Sequence, residues 1–190
     1  MKSKELAVQY VEALKNLLDN LNIDSIEQII ELLESRNNCN GRVFIIGNGG
    51  SAVTASHMAN DWGAGLKRRD ILNIDVISLA DNIAVNSALA NDVGFENIFL
   101  EQIRDNITSK DVIIAISASG NSLNIIKAVN YCKNVGVSVV GCTGFDGGKL
   151  KEISDINFHV ETQKGEYGLV EDMHMILDHL IYTYFLKRSA

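Results

Sequence analysis

His57 and Asp61 stand four residues apart, a spacing that sets an imidazole and a carboxylate on one face of a helix. Such a pair can grip a divalent metal or orient the imidazole for proton transfer, and it can equally be an ordinary surface hydrogen bond. A denser group comes later, where Glu171, Asp172, His174, Asp178 and His179 fall within nine positions of an otherwise apolar segment. Helical spacing makes neighbours of Glu171 and His174 and of His174 and Asp178. Glu171 and His179 are about 12 Å apart by helix rise, so they meet at one ion only by leaning towards it or by coming from different subunits. The remaining histidine, His159, lies between Phe158 and Val160 with Glu161 as its one close acid, and reads as structural.

Two short turns could hold an anion. The apolar run Val43 to Ile46 leads into Gly47-Asn48-Gly49-Gly50-Ser51 and then into a helical segment, which gathers backbone N–H groups at a helix N-terminus with little bulk in the way. Ser117-Ala118-Ser119-Gly120-Asn121-Ser122 repeats the arrangement after a later run, adding three hydroxyls that suit the oxygens of a phosphate monoester. The plain alternatives are a tight glycine turn and serines acting as helix caps. Gly47-x-Gly49-x-x-Ala52 also fits a dinucleotide fingerprint, with Asp81 as the later acid, but that reading leaves the serine turn and the histidines unexplained. No P-loop sequence occurs.

The elements that must position these residues follow from periodicity. Leu6, Tyr10, Leu14, Leu17, Leu18 and Leu21 mark one helix, and Ile26, Ile29, Ile30 and Leu33 a second, with Asp24 as its expected N-cap. This pair, residues 1–36, packs either on the rest of the domain or on a partner subunit. Short apolar runs then alternate with helical segments: Val43 to Ile46, Asp75 to Leu79, Val112 to Ile116, Val137 to Cys142 and Ile156 to Val160. The helical segments are Ala52 to Ala64, Asn82 to Ile107 with a break near Gly94, Leu123 to Asn134, Lys149 to Ile153 and Val170 to Leu186. Strands apolar on both faces and separated by helices predict an α/β fold with a parallel sheet covered on both sides. Ligands of such sheets bind at the carboxyl ends of the strands, where both turns fall.

Length and composition agree with one domain over residues 1–190: 46% of residues are hydrophobic and 22% charged, which suits a packed core. Seventeen Lys and Arg against 24 Asp and Glu give a net charge of −7, which argues against nucleic acid and anionic membrane as partners and leaves a small phosphorylated ligand open. Proline is absent, and Cys39, Cys132 and Cys142 lack metal or disulfide spacing, so they read as plain thiols, two of them in apolar surroundings. No apolar run approaches the roughly 20 residues of a membrane span. The expectation is a soluble, cytoplasmic protein.

Taken in order, strand-GNGGS-helix, ND-x-GF at Asn91 to Phe95, SASGNS at Ser117 to Ser122 and TG-x-DGGK-L at Thr143 to Leu150 resemble the sugar isomerase (SIS) family. Within it the chain is similar to the phosphoheptose isomerases over nearly its whole length. The resemblance implies a five-stranded parallel sheet of flavodoxin-like order, a homotetramer, and active sites built between subunits. It also implies an aldose–ketose isomerisation, from sedoheptulose 7-phosphate to D-glycero-D-manno-heptose 7-phosphate through an enediol.

Residue by residue, it places substrate on Asn48, Gly49, Gly50, Ser51, Asn91, Asp92, Ser117, Ala118, Ser119, Ser122 and Glu171. It places Zn2+ on His57, Asp61, Glu171 and His179, and proton transfer on Asp61 and His179, to which Glu171 is added as a further catalytic candidate. Two positions depart from the family pattern: Asp61 stands where the family has glutamate and Glu171 where it has glutamine. Aspartate shortens the reach by roughly 1.5 Å. Either the pair was exchanged together, with Glu171 or Asp61 acting as base, or the site binds metal and catalyses poorly. A non-catalytic phosphosugar-binding or protein-binding relative, or an isomerase of another phosphosugar, is the alternative function. Replication-initiator-binding relatives lack the last-helix histidine, so His179 favours an enzyme.

Overall fold

A computed structural model describes residues 2–189. Five parallel strands form one sheet in the order β2-β1-β3-β4-β5: β1 Val43–Gly47, β2 Val76–Ser78, β3 Val112–Ser117, β4 Ser138–Phe145 and β5 Ile156–Glu161. This is the flavodoxin-like order, and the crevice beside β1 and β3, where the chain reverses direction across the sheet, is where such folds bind ligands. Alternation along each strand sorts the core into two layers. Val43, Ile45, Val112, Ile114 and Ile116 face α2 (Ile23–Cys39), α3 (Gly50–Met58) and α8 (Tyr167–Arg188). Phe44, Ile46, Ile113, Ala115 and Val139 face α5 (Ile98–Ile103), α6 (Leu123–Asn134) and α7 (Gly148–Ile153).

The leading pair contacts the rest of the chain. Ile26, Ile29 and Leu33 of α2 join the core, while α1 (Ser3–Asp19) buries no residue fully. α1 is seated on α8 by Leu14 and Leu17 and by the Tyr10 hydroxyl, which donates to Asp172 at 2.7 Å. The cap of the second helix lies two residues before the expected one: the Asn22 side chain, not Asp24, accepts from the Ser25 N–H at 3.0 Å. The helix also runs on to Cys39, beyond the expected limit at residue 36.

β4 extends three residues past the expected Cys142, taking Thr143 to Phe145 into the sheet, because β5 continues beside it to Glu161. The segment expected as one helix from Asn82 is divided at Gly94 into α4 (Ile83–Asp92), a 3-10 turn (Phe95–Asn97) and α5. α3 does not continue regularly to Ala64 but widens into a π-helical stretch over Ala59–Gly65. Cys132 and Cys142 are fully buried, and burial pushes both thiols up to about 12. No helix among the described residues is long and apolar enough to cross a membrane.

Candidate functional site

Both polar turns sit at the carboxyl edge of the sheet, at the ends of β1 and β3. The serine turn is shaped by the TG-x-DGGK-L segment beneath it. Gly144 N donates to the Ala118 carbonyl and Leu150 N to the Gly120 carbonyl, both at 2.9 Å. Gly120 has φ +62°, and a Cβ there would overlap the Gly147 carbonyl, so only glycine lets the two loops close. Across the gap, the Asn48 and Asn124 side-chain amides exchange two hydrogen bonds of 2.9 Å, which tie the glycine turn to the first turn of α6.

Between the turns lies a cavity of about 160 Å³ lined by Asn48, Ser51, Ser117, Ala118, Ser119, Ser122, Tyr167 and Glu171. Ser51 and Ser117 are buried, and Ser117 and Ser122 have their hydroxyls 3.4 Å apart. Gly49 and Gly50 close one side, and the Glu171 carboxylate rests against the Gly50 backbone so closely that a Cβ there would overlap both its oxygens. Hydroxyls and the starts of two helices converge on a space suited to a phosphate and the chain attached to it.

α3 and α8 run side by side in the same direction, with Gly50 against Glu171 at one end and His57 against His179 at the other. At that second end a cluster forms from His57, Asp61, Asp178 and His179, whose ligating atoms all lie within 4.8 Å of one another. His57 Nε2 is 3.3 Å from His179 Nε2, 3.6 Å from Asp61 Oδ2 and 3.5 Å from Asp178 Oδ2. The π-helical stretch carries Asp61 and buries Trp62, whose indole N–H donates to the main-chain carbonyl of Asp178 at 3.3 Å. That bond leaves the Asp178 carboxylate without a donor. Burial, and then the nearby charge of Asp61, raises the Asp178 carboxyl to about 7.

Two imidazoles and two carboxylates at these separations are a donor set that fits a divalent cation such as Zn2+. The structure therefore brings His57, Asp61 and His179 together and sets Glu171 apart from them, in the serine cavity. Asp178, which the sequence pairs only with His174, takes the fourth place. His174 instead turns into the core, with Nε2 3.3 Å from the Thr143 carbonyl, and burial lowers it to about 4. His159 makes a contact of 3.0 Å between Nδ1 and the Thr143 hydroxyl, a structural role.

Asn91 and Asp92 are exposed at the end of α4, outside both the cavity and the cluster, with the Asn91 amide donating to Asp92 at 2.8 Å. Asp81, the acid of the dinucleotide fingerprint, accepts from the Ser56 and Ser78 hydroxyls. Sequence reasoning missed Asn124 and Tyr167. For Asn124, its place two residues after the serine motif was the available signal.

Comparison with known proteins agrees with this geometry. The SIS domain family model matches residues 9–144. A phosphoheptose isomerase of Helicobacter pylori (strain P12) is 35% identical over 173 residues, covering 90% of this chain and 86% of that protein. The structure of a phosphoheptose isomerase from Neisseria gonorrhoeae superposes with a TM-score of 0.85 at 26% identity, covering 97% of this chain and 98% of the other. That of a phosphoheptose isomerase from Francisella tularensis gives 0.86 at 25% identity, with 98% and 100% covered. The chain belongs to the SIS domain family and, within it, to the phosphoheptose isomerases.

Proposed function

We propose that this protein is a metal-dependent aldose–ketose isomerase that converts sedoheptulose 7-phosphate to D-glycero-D-manno-heptose 7-phosphate. One observation carries the reading: the α3–α8 seam joins a phosphate-sized serine cavity to an imidazole–carboxylate cluster suited to a divalent metal, with Glu171 at the cavity end. The printed name of the H. pylori relative, phosphoheptose isomerase, supplies the substrate class.

In this account Ser51, Ser117, Ser119 and Ser122 hold the phosphate with the turn amides, Gly49, Gly50 and Asn48 shape the entry, and Ala118 lines the floor. Asp61, beside His57 and His179 at the end of the seam away from the phosphate, acts as base and takes the proton from the carbon beside the carbonyl, while Glu171 lines the cavity that holds the chain next to the phosphate. The same carboxyl, its proton exchanged with solvent, returns one to the former carbonyl carbon, so the enediol collapses to the aldose. His179 moves the proton between the two oxygens. A divalent metal, proposed to be Zn2+, supplies Lewis-acid stabilisation of the developing negative charge.

The site is proposed to be completed by neighbouring copies in a cytoplasmic homotetramer. His57 and His179 keep 42% and 56% of their side chains exposed, α4 buries no residue, and Ile83 on α4 is 80% exposed. Asn91 and Asp92 then bind substrate from a second protomer. The test is incubation of zinc-loaded protein with sedoheptulose 7-phosphate, followed by NMR. Aldoheptose 7-phosphate is expected from the parent and not from His179→Ala; a folded, metal-loaded parent that makes none would leave a phosphosugar-binding role.

A further inference from the structure

Asp178 presents a problem that the isomerase reading does not solve. Its side chain is fully buried, and neither carboxylate oxygen has a hydrogen-bond partner. An ionised carboxylate in that position needs a cation, because an unpaired buried charge is strongly disfavoured. Two imidazole nitrogens aimed at each other from 3.3 Å pose the same problem, since both are sites for one proton or one metal.

A single ion resolves both. Four ligands at about 2.0–2.1 Å in a tetrahedron are separated from one another by about 3.3–3.4 Å. The edges from His57 Nε2 to His179, Asp178 and Asp61 are 3.3, 3.5 and 3.6 Å, and that from His179 Nε2 to Asp178 Oδ2 is 4.0 Å. Glu171 lies about two helical turns away along α8, with its carboxylate against Gly50.

We infer that the metal of this protein is held by His57, Asp61, Asp178 and His179, and that Glu171, at the position where the family pattern supplies a ligand, is free of the metal. The assignment shares with the isomerase reading only the presence of a metal; the site stands on its own geometry. Two carboxylates, Asp61 and the fully buried Asp178, also cancel the charge of a divalent ion, and the two imidazoles complete the donor set as neutral ligands.

The experiment is a zinc titration of chelator-stripped full-length protein against a competing chromophoric chelator, with Co2+ absorption as a second readout of tetrahedral ligation. Asp178→Asn should weaken zinc binding by about 100-fold or more and alter the Co2+ spectrum, whereas Glu171→Ala, which removes every donor atom at that position, should keep affinity within about threefold. Circular dichroism should show Asp178→Asn folded in the absence of metal, because it removes an orphaned buried charge. Should that variant fail to fold, Glu171→Ala decides alone: retained affinity supports the assignment, and lost affinity overturns it. Tight zinc binding in Asp178→Asn with loss in Glu171→Ala would overturn it as well. Tight, Asp178-dependent binding by a parent that makes no aldose would uphold this inference while sinking the isomerase reading.

Discussion

At the scale of single residues, the site depends on where one carboxylate points. Glu171 has room in the cavity because residue 50 has no side chain. Gly50 lies in the first turn of α3, where alanine is tolerated by the backbone, so Gly50→Ala should fold and displace only the Glu171 carboxylate. A displacement of about 1 Å in a group that positions the substrate is enough to lower turnover by on the order of 100-fold. Steady-state kinetics should show that loss with zinc affinity unchanged; unaltered turnover would mean that the position of Glu171 does not matter to the chemistry. The sequence showed the residue types of this site clearly, since His57, Asp61 and His179 fall together as spacing and family pattern imply. It did not show that Asp178 stands beside these three in place of Glu171. That placement depends on side-chain direction along α8 and on the π-helical widening that carries Asp61, neither of which leaves a periodic signal.

At the scale of elements, α8 does two jobs: it forms one wall of the site and it fills the core beneath β4. His174 shows the tension, being fully buried with Nδ1 unpaired and Nε2 beside the Thr143 carbonyl. Burial holds it at about 4, below the ordinary value of 6.5. The unfolded chain therefore takes up this proton at a higher pH than the folded one, and stability must fall as pH drops from about 6.5 towards 4. Urea unfolding of metal-stripped protein should show this decline, and His174→Gln should flatten it; equal slopes in parent and variant would contradict the assignment.

The alternation of apolar runs and helical segments made five strands and the order of the elements legible, because each strand is apolar on both faces. Ends were less legible. Asn22 displaced Asp24 as the cap of α2, and β4 grew to Phe145 because its length is set by pairing with β5, a contact distant in sequence.

At the scale of the whole molecule, the chain keeps apolar side chains exposed on more than one helix. Val8, Val11 and Leu18 form a stripe on α1 that flanks the seam of Leu14 and Leu17, and they are 56%, 49% and 37% exposed. With Ile83 and Phe95, exposed on and beyond α4, they supply faces for association. Light scattering should give the mass of four chains for the parent and a smaller species for Val11→Glu with Leu18→Glu, with activity lost on dissociation because Asn91 and Asp92 are distant from their own cavity. A monomeric, fully active parent would remove the composite site. The acidic net charge of −7 is compatible with an anionic substrate because hydroxyls and amides at the turns, not lysines or arginines, line the cavity.

The most direct measurement of the central claim is the reaction run in deuterated water and read by NMR on the zinc-loaded protein. The account predicts aldoheptose 7-phosphate carrying deuterium at the carbon next to the aldehyde, and loss of both product and label in Asp61→Asn. A folded, metal-loaded protein that neither forms the aldose nor exchanges a carbon-bound proton of sedoheptulose 7-phosphate would contradict it.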